Sequence, residues 1–252
     1  MKRYKEKTLE FQIFKQKCID IFAKNSFLPI PTDEQTEKLW QLTDIMLEVN
    51  KSMNLTAITD EEAVILKHYA DSLTVCADIP ENARLIDIGC GAGFPCLPLA
   101  IFRPDVSILA LDSTAKRIEY VKSTAKKLGL NNLSAVAARA EDLAVKNEYR
   151  EKFDIATARA VAALPILTEL CLPYVKTGGY FIAMKGSQGE TELEAARNAI
   201  GTCGGEIVEI RKPDLTTDGV AFERRFIAKI KKITQTPAKY PRHYSQISKK
   251  PL

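Results

Sequence analysis

One stretch of the chain decides its fold: Leu85-Ile86-Asp87-Ile88-Gly89-Cys90-Gly91-Ala92-Gly93-Phe94-Pro95. Its apolar run is typical of a buried strand, and the glycines after it let the backbone turn sharply and lie close to a ligand. A helix predicted over 95–102 leaves its first N–H groups without partners inside the helix. Strand, glycine turn and helix together predict a nucleotide-type binding loop.

The spacing of the glycines separates two cofactor classes. A dinucleotide fingerprint is G-x-G-x-x-G, and its third glycine would fall where Phe94 stands. Here the glycines are Gly89, Gly91 and Gly93, and they follow Asp87. S-adenosylmethionine has no pyrophosphate, and its methionine carries an ammonium group that a carboxylate such as Asp87 can hold. The pattern therefore favours S-adenosylmethionine, with NAD as the competing cofactor.

Apolar periodicity predicts the architecture around this loop. Helical spacing runs from about residue 8 to residue 70, and from Arg84 onward short apolar strands alternate with amphipathic helices. The strands are predicted at 84–88, 106–111, 133–137, 153–157, 179–184, 206–210 and 224–231, and the later helices at 114–128, 161–175 and 189–203. The expected fold is α/β and Rossmann-like: a seven-stranded, mostly parallel sheet with an antiparallel terminal hairpin, preceded by a helical segment.

Three regions follow from this pattern: an N-terminal helical lead-in over 1–75, a cofactor-binding core over 76–232 and a basic tail over 233–252. From Lys229 to Leu252 the sequence has seven basic residues and no acidic ones. The tail has prolines and no periodicity, so we expect it to be extended and mobile when free. Its charge suits a polyanion such as nucleic acid.

The composition argues against membrane and metal sites. Apolar residues make up 46% of the chain and charged residues 27%, and polar side chains interrupt each apolar run well before it could span a bilayer. The six cysteines form no C-x-x-C pair, and there are two histidines. We expect a cytoplasmic protein, a monomer, without metal and without membrane contact.

Charged residues follow the predicted strands at one edge of the sheet. Asp112 ends the second strand, where a carboxylate can accept both ribose hydroxyls or simply cap the next helix. Ala140 and Glu141 follow the third strand, either to hold an adenine or as the acidic first turn of a helix. Arg159 and Lys185 end the fourth and fifth strands. Because ligands bind at this edge of open α/β sheets, we favour a functional Arg159 over a solvated one.

Missing motifs narrow the methyl acceptor. The chain has no N/D-P-P-Y/F stretch for exocyclic amino groups and no Pro-Cys nucleophile after the fourth strand for pyrimidine C5. An atom with a free lone pair, such as guanine N7, needs neither a covalent route nor a general base. Rate would then come mainly from holding the acceptor in line with the sulfonium methyl group, with a guanidinium such as Arg159 nearby.

The chain resembles the bacterial small-subunit ribosomal RNA methyltransferase G family, also called glucose-inhibited division protein B. The residues that carry the resemblance are Asn54–Ile58, His68–Leu73, Asp87–Pro95, Asp112-Ser113, Lys116-Arg117, Arg139–Glu141, Ala158–Val161, Met184–Gly186 and Thr236–Arg242. The tail departs from the family pattern after Arg242, where His243–Ser248 replaces a Gly-Pro-type turn.

The resemblance implies methyl transfer from S-adenosylmethionine to N7 of a guanine in 16S ribosomal RNA. Family cofactor contacts carry over onto Gly89, Phe94, Ala140, Glu141 and Arg159, with Asp112 on the ribose side and Arg159 also as the catalytic residue. The expected partner is small-subunit ribosomal RNA or a ribosomal particle. Residues expected to contact it are Asn54, His68, Lys185, Arg224, Lys239 and Arg242.

Several alternatives stay open at this stage. His68 can equally be a helix-face residue that packs against the core, and Asn54 a turn-forming cap. A methyltransferase for a small molecule or a protein, or a non-enzymatic, cofactor-responsive assembly factor, would share the same loop. If the tail serves RNA, removing 233–252 should weaken RNA binding and leave cofactor affinity nearly intact.

Overall fold

The computed structural model describes residues 2–217 and 224–252, and its centre is a seven-stranded sheet of order β3-β2-β1-β4-β5-β7-β6. The strands are β1 (Arg84–Ile88), β2 (Ser107–Asp112), β3 (Leu133–Ala137), β4 (Phe153–Arg159), β5 (Val175–Lys185), β6 (Gly205–Arg211) and β7 (Phe226–Lys232). β1 to β5 are parallel, and β7 lies antiparallel to both β5 and β6. The predicted mostly parallel sheet with an antiparallel terminal hairpin is confirmed.

Helices cover both faces of the sheet. They are α1 (Lys2–Lys24), α2 (Asp33–Met53), α3 (Glu61–Val64), α4 (Asp71–Leu73), α5 (Cys96–Phe102), α6 (Ala115–Lys127), α7 (Ala140–Ala144), α8 (Leu164–Cys171), α9 (Gly189–Thr202) and α10 (Tyr244–Lys249). A π-helical turn, Ile65–Ala70, joins α3 to α4. One apolar cluster includes buried residues of α1, α2 and α5, and the other includes those of α8 and α9.

The burial of strand β1 explains why central parallel strands have mostly apolar sequences. After Arg84 every residue of β1 is buried, since helices pack on both of its faces. Leu85 belongs to the cluster with the N-terminal helices, and Ile86 belongs to the cluster with α8 and α9. Each such side chain contributes roughly 1.5–3 kcal/mol by leaving water. The central position of β1 fixes where the glycine loop after it emerges.

The N-terminal helices share their core with the sheet. Phe14, Leu39 and Met46 lie in the same apolar cluster as Leu85 of β1 and Ile108 of β2. Helix α2 begins after a capping box, in which the Thr32 hydroxyl accepts from the Gln35 backbone and the Gln35 side chain accepts from the Thr32 backbone. Helices α1 and α2 therefore pack onto the sheet and share its core.

Two predicted elements of the core differ from the structure by more than two residues. The helix expected over 161–175 is α8 followed by a 3₁₀ turn, Leu172–Tyr174, because Pro173 cannot donate an α-helical hydrogen bond. Strand β5 starts at Val175, ahead of the expected 179. The 3₁₀ turn and the start of β5 lie at the end of the sheet away from the glycine loop. The connection between β6 and β7 falls partly outside the described residues.

The C-terminal tail is folded against the core, so the expectation of an extended tail is wrong. Arg242 donates from its guanidinium to the fully buried Glu169 of α8 at 2.6 Å, and Tyr244 begins a short helix. The Arg150 guanidinium donates to the carbonyls of Thr236 and Tyr240. These partners are distant in sequence, which is why composition alone predicted a mobile segment.

Candidate functional site

The glycine loop turns through left-handed backbone conformations. Gly89, Gly91 and Gly93 have φ of 73°, 54° and 88°, a region that side chains with a Cβ rarely adopt. A Cβ on Gly89 would lie 2.5 Å from a methyl carbon of Val161, so a side chain there would also displace Val161. The N–H groups of Gly89 and Cys90 both donate to the Leu111 carbonyl of β2, at 2.7 and 3.0 Å. The loop is thereby tied to the end of the neighbouring strand.

Asp87 lies beneath this loop and does not line a cavity. Its carboxylate is fully buried and accepts from the Cys96 backbone at 3.2 Å and from the Thr157 hydroxyl at 3.3 Å. Burial raises the pKa of Asp87 to about 6, against the hydrogen bonds from Cys96. The expected direct contact with an ammonium group is therefore corrected to a positioning role between β1 and α5.

Asp112 takes the helix-entry role that its sequence position left open, and it also lines the cavity, so the ribose contact stays a prediction. One carboxylate oxygen accepts from the Thr114 backbone at 2.8 Å at the entry to α6, and the other accepts from the Gly91 backbone at 3.0 Å. Arg117 lies 3.8 Å from the same carboxylate. Each oxygen has a further lone pair, so Asp112 can still accept hydroxyl groups from a ligand.

A cavity of about 750 Å³ opens at the carboxyl edge of the parallel strands, within the usual range for small-molecule sites. We name its two ends by the segments that close them. The helical end consists of Thr56, Lys67, His68, Asp71, Phe94, Arg159 and Arg225. The tail end consists of Asp112, Arg139, Ala140, Glu141 and Tyr244. The residues of the glycine loop line the same cavity as the residues of its two ends.

At the helical end one carboxylate holds two arginines. Asp71 is buried, and its two oxygens lie 2.8 Å from Arg159 Nη1 and 3.0 Å from Arg225 Nε. Arg159 also donates to the Lys67 carbonyl at 3.0 Å, and its guanidinium lies 5.3 Å from the centre of the Phe94 ring. Because these contacts restrain the guanidinium on several sides, it enters any reaction already oriented.

His68 is an uncharged part of the same network. Its ring stacks on Phe94 with centroids 4.3 Å apart, and its nitrogens lie 2.9 Å from the Thr56 hydroxyl and 3.4 Å from Arg159. Burial, aided by the charges of Arg159 and Arg225, lowers the pKa of His68 to about 3. The histidine packs and orients neighbouring groups, and it sits in the π-helical turn, a distortion frequent at functional sites.

The tail end is built from residues that follow two strands and from the C-terminal segment. Glu141 is buried beside the cavity and accepts from the Tyr244 backbone at 3.2 Å. The Arg139 guanidinium lies 5.9 Å from the centre of the Tyr244 ring. Tyr174 donates to the Ala140 carbonyl at 2.6 Å. The structure therefore brings Ala140 and Glu141 together with Asp112, as expected, and adds Tyr244.

The residues expected to contact RNA have different environments. Lys185 is nearly buried, donates to the Ala162 carbonyl and pairs with Glu192 at 2.8 Å, so its ammonium already has protein partners. Arg224 is exposed and does not line the cavity, whereas its neighbour Arg225 does. Sequence reasoning missed Arg225 and gave Asp71 no role, although Asp71 lies three residues after His68 on the same helical stretch.

Asn54 is the C-cap of α2, as its alternative interpretation as a turn-forming cap predicted. It ends α2 in a left-handed conformation with φ of 49°, and it is exposed. The loop after it is organised by Asn50, whose side chain bonds both the N–H and the carbonyl of Thr56 at 2.9 Å. Asn50 thus orients the hydroxyl that His68 contacts. A contact between Asn54 and RNA stays a prediction.

Within residues 2–217 and 224–252 no helix combines the length and the apolar composition that a bilayer-spanning segment needs. The same residues contain no cluster of histidine, cysteine or carboxylate side chains suited to a metal ion.

The sequence profile of the family described as rRNA small subunit methyltransferase G matches residues 35–216. The chain belongs to this family. A ribosomal RNA small subunit methyltransferase G from Acetivibrio thermocellus is 46% identical over 87% of this chain and 90% of its own length. One from Lactobacillus helveticus is 42% identical over 94% of this chain and 98% of its own length. The predicted family and enzyme class are confirmed.

Solved structures agree on the fold. A SAM-dependent O-methyltransferase from Thermotoga maritima matches with a TM-score of 0.52 at 17% identity, over 82% of this chain and 73% of its own. M. jannaschii TYW2 in complex with AdoMet matches with a TM-score of 0.52 at 19% identity, over 65% of this chain and 75% of its own. The predicted Rossmann-like methyltransferase fold is confirmed.

Proposed function

We propose that this protein transfers the methyl group of S-adenosylmethionine to N7 of a guanine in 16S ribosomal RNA. The observation that carries the proposal is the cavity itself. It combines the glycine loop and Asp112 with an oriented Arg159 at its opposite end. Membership of the rRNA small subunit methyltransferase G family supports the class of acceptor. The choice of N7 rests on the family resemblance and on the chemistry of the site.

The residues of the tail end suit the adenosine part of the cofactor. We assign the ribose hydroxyls to Asp112 and the adenine to the side of Ala140 and Glu141. The glycine loop then faces the methionine part, with Asp87 holding the loop from beneath rather than touching the ligand. When bound, S-adenosylmethionine supplies a methyl group activated by its sulfonium.

The helical end suits the acceptor base. Guanine N7 carries a lone pair and no proton, so the site needs no general base, and His68 stays uncharged at neutral pH. Arg159 can donate to the guanine O6 beside N7, which would orient the base without blocking the attacking atom. Asp71 holds Arg159 in place for this task. Positioning and electrostatics then lower the barrier without a covalent intermediate.

We assign the outer contacts to small-subunit RNA or a ribosomal particle, and we propose that the protein works in the cytoplasm as a monomer. Lys239 and Arg224 are exposed and free to meet phosphates. Arg242 and Lys185 are engaged in ion pairs with glutamates, so we assign them to holding the tail and the cavity wall. Their contact with RNA stays a prediction.

The test is methyl transfer to small-subunit RNA and particles from cells that lack this enzyme, with tritiated S-adenosylmethionine. We expect incorporation at one guanine, which borohydride reduction and aniline cleavage then identify as N7-methylated. Label at another atom would overturn the N7 assignment. No label from folded, cofactor-bound protein would instead support a non-enzymatic assembly factor. Label only on small molecules or proteins would overturn the RNA acceptor.

A further inference from the structure

Sequence analysis assigned the C-terminal tail to RNA contact. Its segment Arg242–Lys249 nevertheless contributes a side chain to the cavity. Tyr244 lines the tail end, beside Arg139, Ala140 and Glu141. About a third of its surface is exposed, so the ring is neither buried in the core nor free of the wall. An aromatic face and a planar guanidinium at one end of a nucleoside cavity are groups on which a purine stacks.

Several contacts hold Tyr244 at this place. Its backbone N–H donates to Glu141 at 3.2 Å, which joins the tail to the residue we assign to the adenine. Just before it, Arg242 donates from its backbone, Nε and Nη2 to the fully buried Glu169 of α8. Just after it, Ile247 is fully buried. The ring is therefore restrained on both sides along the chain, so little ordering remains to be done when a ligand binds.

We propose that Tyr244 forms one wall of the adenine subsite, so that the C-terminal segment is part of the cofactor site. The proposal rests on the proposed function, since it needs an adenosine-containing cofactor at the tail end. It also reverses the expectation that removing 233–252 leaves cofactor affinity intact. Tyr244 lies in the stretch His243–Ser248, which stands where a Gly-Pro-type turn is expected from the family resemblance.

The experiment measures the Kd of S-adenosylhomocysteine and of adenosine by calorimetry on the full chain. We expect Tyr244→Ala to weaken both ligands by about tenfold, because loss of one base–aromatic stack acts on the adenosine part they share. Tyr244→Phe keeps the ring and should stay within about twofold of the natural protein. Tyr244→Leu keeps apolar bulk at the tail end without an aromatic face, and should weaken both ligands severalfold.

The matched control is Gln246→Ala, an exposed residue on the same helix that leaves the ring in place. Unfolding midpoints of all variants show whether the tail still docks. Unchanged affinity in Tyr244→Ala, or a loss confined to S-adenosylhomocysteine, would overturn the adenine wall while leaving the proposed function standing. A loss of RNA affinity alone would assign the ring to RNA instead. If the natural protein binds neither ligand, the proposed function itself fails.

Discussion

The two ends of the cavity are built in different ways. At the helical end, charged groups from three distant segments meet: Asp71 lies 88 residues from Arg159 and 154 from Arg225. At the tail end, Asp112 ends β2, Glu141 follows the adjacent β3, and a segment from the far end of the chain bonds to Glu141. One end is a network of paired charges, and the other is a pair of carboxylates with an aromatic cover.

The proposed function accounts for this difference. Cations that orient a base have to be fixed in position. A buried carboxylate between two arginines fixes both guanidinium groups before a ligand binds. Carboxylates that accept hydroxyls only need to end their strands at the right edge of the sheet. Changes at the helical end should therefore act on rate, and changes at the tail end on cofactor affinity and stability.

The largest effect is expected at Arg159. In Arg159→Ala the rate of methyl transfer should fall by roughly 100- to 1,000-fold, as for other single preorganised donors. The chain should still fold because Asp71 keeps its pair with Arg225. Arg159→Lys keeps the charge but has no planar fork, so it should restore only part of the rate. Single-turnover rates and unfolding midpoints measure both, and full rate in Arg159→Ala would remove it from the site.

The next effect concerns the anchor of the tail. Arg242→Ala leaves Glu169 fully buried without its arginine, which should cost about 3 kcal/mol of unfolding free energy. The double variant Arg242→Ala with Glu169→Gln should regain part of that loss because the uncompensated charge is gone. Urea unfolding measures both variants. Equal stability of Arg242→Ala and the natural protein would mean that the tail does not dock on α8 in solution.

A smaller effect is expected in how the unfolding free energy depends on pH through His68. Burial lowers the pKa of His68 from its ordinary 6.5 to about 3, so between these values the unfolded chain binds a proton that the folded chain does not. Stability therefore falls as the pH falls, by about 2 kcal/mol between pH 6.5 and pH 5.

His68→Gln removes this contribution, so its unfolding free energy should fall less between pH 7 and pH 5. The raised pKa of Asp87 acts in the opposite direction: near pH 6 and below, protonation favours the folded chain. That contribution is common to both proteins and cancels in the comparison. Parallel pH profiles of the two proteins would show that His68 is not buried in uncharged form.

The smallest effect is expected at Lys239. It is exposed on the tail, with its ammonium 5.2 Å from the centre of the Tyr240 ring. Lys239→Ala should lower the slope of log affinity for RNA against log salt by about 0.7 to 0.9, one phosphate contact, and leave cofactor affinity unchanged. Filter binding over a salt series measures the slope. Lys126, exposed on α6, is the matched control, and an equal change in Lys126→Ala would mean a nonspecific charge effect.

Local sequence patterns were enough to predict the strands, the glycine loop and the edge of the sheet at which the site lies. β1 and β3 begin and end at the predicted residues, and the glycine loop lies between β1 and α5 as expected. Asp112 and Arg159 could be assigned to one edge because parallel strands end on the same side of a sheet. These features depend on neighbouring residues alone, so periodicity and turn chemistry were enough to predict them.

Only the tertiary structure decided which groups meet. Asp87 has the position of a ligand contact in sequence, but packing buries it beneath the loop, where burial raises its pKa. Arg225 rather than Arg224 faces the cavity, and the tail docks through Arg242 and Glu169. The physical reason is that packing between distant segments selects the partners of buried charges. Such pairing produces no periodic pattern in the sequence from which it could be predicted.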